Sequence, residues 1–294
     1  MSADGFLVVD KSAGITSHDV VAIARRAIGT KKVGHAGTLD PMATGVLVLG
    51  FGIGTRLLQY ITEGEKKYEA TIFIGSSTVT DDAEGEALET ATQVQLAKIS
   101  DTQIHDSFLP MRGVILQRPS SVSAVKVAGE RAYARVRAGE EVELPAREVT
   151  ISNLEVGEIR RSEGKIEVDL SVTCGAGTFI RAIARDCGNN LGVGGHLIRL
   201  RRTYVAPFDL TSAISMETLK SGQFASLSVE SVARTRFEVR EITDSERGEL
   251  RFGRAISSSG TDAITAAIFE GRLIALLQNR DLKASPIAVF SVES

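Results

Sequence analysis

Two cysteines, Cys174 and Cys187, are all that this 294-residue sequence holds. They are too few and too far apart for a CxxC redox or zinc motif. Cys187 falls on the apolar stripe of an expected helix and reads as a small core residue. No apolar run approaches the roughly 20 residues of a membrane-spanning helix, because glycine interrupts the longest ones. The opening "MSADGFLVVDK" lacks the basic, then apolar, then small-residue order of a secretory signal, so a cytoplasmic location is expected. HExxH, GxSxG and GxxxxGK[ST] do not occur, which sets aside metal-dependent, elbow-type serine hydrolase and P-loop chemistry. "GFGIGT" (50–55) fails the third glycine of GxGxxG and has no acidic strand end some twenty residues on, so it reads as a strand-to-helix turn. Internal repeats and low-complexity tracts are lacking too.

What remains is an ordinary globular composition, 43% apolar and 24% charged, in a chain long enough for one large domain or a large one and a small one. The net charge of −3 hides an uneven distribution. Lys11–Lys67 carries eight Lys/Arg against four Asp/Glu, Met111–Arg137 six against one, and Arg181–Arg202 five against one. These segments total +13 and the rest of the chain −16. If the three converge, they make one basic face on an acidic body, as a nucleic-acid binder requires; scattered solvated charge is the alternative.

Patterning along the chain mixes strands and helices without regular alternation. "GFLVVDK" (5–11) reads as a strand and "TSHDVVAIARRAIG" (16–29) as a helix capped by Thr16 or Ser17 and stopped by Gly29. "VGHAGTLDPMA" fits no regular element, whereas "TGVLVLGFG" is a buried strand followed by a short helix, and "KKYEATIFIG" alternates as a strand. "TDDAEGEALE" (80–89) reads as a solvated loop or edge hairpin, and 92–107 as one polar helix. "RGVILQ" and "SAVKVAG" read as strands, "ERAYARVRAG" as a helix, and "REVTISNLEV" with "KIEVDLSVTC" as antiparallel neighbours. "GTFIRAIARDCGNNLG" (177–192) is the clearest helix and "GGHLIRLRRTYVAPF" a returning strand. The expected fold class is α+β around a largely antiparallel sheet flanked by helices. A strand-rich portion from about 225 follows, so residues 1–224 and 225–294 are the expected domains.

Asp40 is the first candidate for chemistry. A carboxylate can act as nucleophile, base or charge stabiliser, and a glycine-rich loop lets backbone approach a ligand closely. Read alone, "LDP" is more often an Asx-type turn than a catalytic site. His35 reads equally as a loop hydrogen-bonder or a functional group. Tyr68 reads first as a packed strand tyrosine, and Arg181, offset from the apolar stripe of its helix, as an exposed arginine.

Together the segments resemble the bacterial TruB family, the tRNA pseudouridine-55 synthases. The matching blocks are "VDKSAGITSHDVV", "GHAGTLDPMATGVLVLGFGIGTRLL", "KKYEATIFIG", "RPSSVSAVKVAGERAYARVRAG" and "CGAGTFIRAIARDCGNNLGVGGHLIRLRR", in the family's order over roughly residues 5–210. The resemblance implies a pseudouridine-synthase catalytic domain, a small β-rich PUA-like C-terminal domain, and isomerisation of uridine to pseudouridine in the T-loop of tRNA. It implies Asp40 as the catalytic aspartate, Tyr68 as the active-site tyrosine that stacks on the target base and is implicated in proton abstraction, and Arg181 as the partner of Asp40. His35 would enter the RNA loop as the target uridine leaves its stack, Leu200 would line the pocket, and Lys11 is the lysine of the first block, on the RNA-binding side. No cofactor and no metal are needed for an isomerisation; the T-stem-loop of tRNA is the expected partner, a monomer the expected state, and an added tRNA-folding role is compatible. Ser12 stands where the family commonly has proline, Phe179 where it often has tyrosine, and Val79 where a polar or acidic residue is commoner. An RNA-binding module without catalysis, a guide-dependent synthase and a generic nucleotide-binding enzyme are the rival readings. The tail, with nine Lys/Arg and ten Asp/Glu, offers no strong electrostatic grip.

Overall fold

Successive residues of the strand Gly5–Lys11 (β1) face different cores: Phe6 and Val8 belong to one hydrophobic cluster, Leu7 and Val9 to another. An uninterrupted "FLVV" is what burial on both faces requires. The computed structural model describes residues 4–120, 126–127, 130–131, 144–162 and 164–290, the backbone alone for 126–127 and 130–131. No helix among them is long and apolar enough to cross a membrane.

The helix Ser17–Ile28 begins with a capping box between Thr16 and Asp19 and ends at Gly29, whose φ of 79° suits glycine. Val33–Ala36, expected as irregular, is instead a short strand (β2), because the far end of β3 (Thr44–Phe51) offers it a free ladder edge. Four residues are too few to reveal that in sequence. A 3₁₀ turn and the helix Leu58–Thr62 lead to β4 (Lys66–Ile74) and the hairpin β5 (Ser76–Thr78)–β6 (Ala87–Thr90). The single helix expected over 92–107 is two, Gln93–Ala97 and Asp101–Ser107. Each has its own capping box, Thr92 with Gln95 and Ser100 with Gln103, and the second cap ends the first helix.

After β7 (Gly113–Gln117), Lys126–Val127 (β8) pairs with Glu130–Arg131 (β9). The helix expected over "ERAYARVRAG" thus begins as strand, and its other residues lie outside the described ones. The expected antiparallel neighbours are β10 (Arg147–Ser162) and β11 (Lys165–Cys174). The helix Ile180–Asn190 buries Ile180, Ile183, Ala184 and Cys187, and β12 (Gly195–Val205) and β13 (Phe208–Asp209) complete the main sheet. Its order is β1-β3-β12-β4-β11-β10-β7, all antiparallel except β3 with β12.

The helix Met216–Ser221 buries Met216 and Leu219 in the core shared with Leu7, Val9 and Val20, whereas helices Val229–Arg236 and Asp244–Arg251 accompany a second, five-stranded sheet. Its strands are β14 (Glu238–Glu241), β15 (Ile256–Ser257), β16 (Ile264–Phe269), β17 (Arg272–Arg280) and β18 (Lys283–Val289), ordered β14-β16-β17-β18-β15. This sheet is not isolated: Phe6, Val8, Val46, Val48 and Ile61 share one core with Val232, Ala266, Leu276 and Phe290.

The main sheet forks at β3. Its first residues, Thr44 and Gly45, pair with Arg201 and Arg202 of β12, but from Val48 to Phe51 the same edge is taken by β2. Gly45, at φ 103°, permits the close pairing, since a Cβ there would meet the Arg202 carbonyl oxygen at 2.1 Å. The segment from Gly37 to Ala43 leaves β2 and returns to β3 at this fork.

Candidate active site

The fork holds that segment by its backbone. The Gly37 carbonyl accepts from Arg202 Nη2 at 3.0 Å and that of Thr38 from Arg202 Nη1 at 3.3 Å. The Leu39 carbonyl accepts from Ser17 Oγ at 3.0 Å, and that of Asp40 from the Ala43 N–H at 3.1 Å, closing a turn with proline at its second position. The Pro41 carbonyl accepts from the Gly14 N–H at 2.9 Å and from Lys11 Nζ at 3.1 Å. Five consecutive carbonyls are tied, so the Asp40 side chain stands on a fixed backbone.

Arg181 reaches that side chain from the first turn of the helix Ile180–Asn190. Its Nε lies 3.0 Å from one Asp40 carboxylate oxygen and its Nη2 3.3 Å from the other, a fork-to-fork pair. Its Nη1 donates to the Thr80 carbonyl at 2.9 Å and faces Asp82 at 3.5 Å. Gln117 sets the start of that helix: its side chain both donates to the Phe179 carbonyl and accepts from the Phe179 N–H.

These groups open onto a cleft of about 320 Å³, lined among others by Asp40, Lys66, Tyr68, Arg181, Leu200 and Arg202, large enough for a single ring. Tyr68 and Leu200 supply its apolar wall, both buried, on neighbouring strands β4 and β12. Burial pushes the Tyr68 phenol up from its usual range, against the pull of the adjacent Arg202 guanidinium, so Tyr68 carries its proton at neutral pH.

The match to known sequence families decides the assignment. Residues 25–180 match the model described as TruB family pseudouridylate synthase (N terminal domain), and 181–235 the tRNA pseudouridylate synthase B C-terminal domain. Residues 237–291 match tRNA Pseudouridine synthase II, C terminal. The chain belongs to the TruB family of pseudouridylate synthases. It is 47% identical to a tRNA pseudouridine synthase B of Corynebacterium diphtheriae, over 98% of this chain and 97% of that one. To those of Paenarthrobacter aurescens and Thermobifida fusca it is 50% and 48% identical, over 98% of this chain and 95% and 99% of theirs. Among solved structures, an H/ACA ribonucleoprotein bound to a substrate RNA containing 2′-deoxyuridine aligns with a TM-score of 0.70 at 21% identity, covering 98% of this chain and 85% of the other. The archaeal box H/ACA Nop10–Cbf5 complex aligns equally well at 22%, covering 98% of this chain and 86% of the other. That likeness carries the fold, an α+β pseudouridine-synthase sheet.

Within this TruB-family chain, Asp40, Tyr68, Arg181 and Leu200 meet at one cleft. Arg181, which residue spacing alone presents as exposed, is 6% exposed. Lys11 departs from the sequence reading. It is fully buried, and its ammonium donates to the carbonyls of Ser12, Ile15 and Pro41, so it braces the Asp40 turn from behind instead of meeting RNA at the surface. Burial brings its pKa down to about 8. His35 stands on β2 outside the cleft lining, edge-on to His18 at 5.6 Å, and its Nδ1 has no hydrogen-bond partner among the described residues. Burial above all, then the His18 and Arg202 charges, lowers its pKa and favours the neutral ring.

Two site residues escape sequence reasoning. Asp82, inside the stretch expected as solvated, has a side chain 5% exposed and faces Arg181 Nη1, the nitrogen that Asp40 does not take; its neighbour Asp81 pairs with Arg185 at 3.3 Å. Arg202 ties the loop and lines the cleft. The charge count in the sequence was the available signal, but four of the counted cations, Lys11, Lys66, Arg181 and Arg202, turn inward and add nothing to a basic outer face.

Proposed function

We propose that this TruB-family chain isomerises uridine to pseudouridine at position 55 in the T-loop of tRNA, alone, as a monomer, without guide RNA or cofactor. The carrying observation is the Asp40 carboxylate, gripped by the Arg181 fork on a fully tied turn at the cleft that Tyr68 and Leu200 wall. The tRNA assignment leans on the relatives' names. The division at about residue 225 into a catalytic part and a β-rich part belongs to the same proposal.

The reaction breaks the bond from N1 to C1′ and rejoins the ring through C5, a change in connectivity only. Asp40 attacks C1′; the pairing with Arg181 fixes where its carboxylate oxygens stand in a part-buried place. Tyr68 stacks on the flipped base and Leu200 closes the wall behind it, which limits water during rotation. Extracting a stacked base costs a few kcal/mol, and His35, on β2 two residues before the cleft-lining Gly37, fills the vacated place in the loop. Lys11 acts as a positioning residue for Asp40.

Incubation with tRNA labelled with tritium at uridine C5 tests this, because forming the new bond expels that hydrogen. About one equivalent is released by the wild type and none by Asp40→Asn. Replacing the target uridine with cytidine abolishes release if position 55 is the site. No release by a folded, tRNA-binding wild type rejects the reading.

A further inference from the structure

Two cations line the cleft with no carboxylate partner among the described residues. Lys66 is 6% exposed, and its Nζ donates to the carbonyls of Thr62 and Gly64, both at 2.7 Å. Arg202 is 1% exposed and donates to the carbonyls of Val46, Gly37 and Thr38. The carboxylates at hand do not serve them, since Asp40 is matched by Arg181 and Asp82 lies behind that arginine. A Cβ at Gly37 would lie 3.5 Å from Arg202 Nη1 and 3.8 Å from Lys66 Cε, so the two charged side chains converge beneath that glycine. Lys66 is two residues before Tyr68 on β4, which puts both on one face. The opening turn of the helix Ile180–Asn190 also lines the cleft, with the positive end of its dipole.

Burying two like charges without counterions is costly. The charged and titratable groups around the Lys66 ammonium are Arg202 from β12 and the Cys174 thiol from β11; burial first, then Arg202, brings its pKa down to about 8. An ammonium has three donors and two are engaged here. One N–H and an excess of positive charge are left for whatever enters.

We propose that Lys66 and Arg202 make the cleft a receptor for the pyrimidine ring as an anion, the form it takes between loss of the N1 bond and formation of the C5 bond. This rests on the uridine-isomerisation reading above. When the N1–C1′ bond breaks, its electron pair leaves with N1 while an Asp40 oxygen bonds to C1′. The free ring then carries one negative charge spread over N1, O2 and O4. After it turns, C5 gives a pair to C1′ and the Asp40 carboxylate departs with the ester pair. C5 finally loses its hydrogen as a proton and N1 gains one, so atoms and electrons balance with no other reactant. Donors fixed where charge develops stabilise that state without reorganising.

The experiment compares single-turnover tritium release by the wild type, Lys66→Met and Lys66→Arg from pH 6.5 to 9.5, with tRNA binding followed in parallel. Release by the wild type is the precondition: its absence rejects the isomerisation reading itself. Given release, Lys66→Met is expected to lose about 100-fold in rate at pH 7 with tRNA affinity within two-fold of the wild type. The wild type loses rate on the alkaline side as Lys66 gives up its proton near pH 8. Lys66→Arg, charged throughout, retains at least a tenth of the neutral rate and shifts that alkaline loss to higher pH. A Lys66→Met rate within three-fold of the wild type, or a Lys66→Arg profile with the wild-type alkaline loss, overturns the proposal. If Lys66→Met does not fold, the Lys66→Arg profile alone decides.

Discussion

Arg181 holds Asp40 with two nitrogens, Nε at 3.0 Å and Nη2 at 3.3 Å, while its third nitrogen faces Asp82 at 3.5 Å. The guanidinium thus sits between two carboxylates that come from segments 42 residues apart in sequence. Only a planar fork can serve both directions at once.

Replacing Arg181 with Met strands Asp82 and half-buried Asp40 without a cation, and is expected to cost about 3–5 kcal/mol of stability, read by urea unfolding. Lys at the same place keeps the charge but loses the fork, and should restore much of the stability while leaving tritium release at least about 100-fold down. Equal activity of the lysine variant and the wild type would contradict the role given to the paired geometry.

Lys11→Met separates bracing from RNA contact. A lysine that neutralises a phosphate contributes about 0.9 to the slope of log affinity against log salt. Buried Lys11 should leave that slope unchanged and lower the rate of release instead, because the Pro41 carbonyl loses a tie. A shallower salt slope in filter-binding would return Lys11 to the surface.

The fork in the sheet depends on Gly45. Both Gly45 and Gly113 have positive φ, 103° and 81°, but a Cβ at Gly45 meets the Arg202 carbonyl oxygen whereas at Gly113 it meets nothing within 4 Å among the described residues. Gly113→Ala should cost about 1 kcal/mol for the backbone conformation alone. Gly45→Ala adds the clash and should cost about 3 kcal/mol or more, measured by the same unfolding titration.

His35 makes stability depend on pH. Its pKa in the folded chain lies below the ordinary 6.5, so as pH falls the unfolded chain takes up its proton first. The stability concerned is present above the ordinary value and is lost below it. His35→Gln should therefore lose less Tm than the wild type between pH 7.5 and 5; an identical loss would mean that the ring protonates freely in the fold.

Both thiols are buried, and burial pushes Cys174 up to about 11 and Cys187 up to about 12. Native protein at pH 8 should react with no thiol reagent on the minute scale, and protein in denaturant with two equivalents.

Much of this molecule follows from local pattern. The capped helix Ser17–Ile28, the alternating β4, the β10–β11 pair and the buried Cys187 each follow from residues within a few positions of one another, because spacing and capping are local physics. The "GHAGTLDP" segment holds the candidate Asp40, and the structure brings Tyr68, Arg181 and Leu200, which the family resemblance points to, to the same cleft. What spacing could not reveal was direction. Lys11, Lys66, Arg181 and Arg202 are charged residues that turn inward, and Asp82 sits in an acidic stretch that reads as solvent-facing. A long cation goes inside only where backbone carbonyls or a carboxylate await it, and those groups come from elements as far as 165 residues away, as Gly37 does for Arg202. The fork in β3 brings them together. Sequence alone determined which residues were available for the chemistry; the tertiary structure decided which charges face the cleft, because only the assembled sheet supplies the partners that make burying them tolerable.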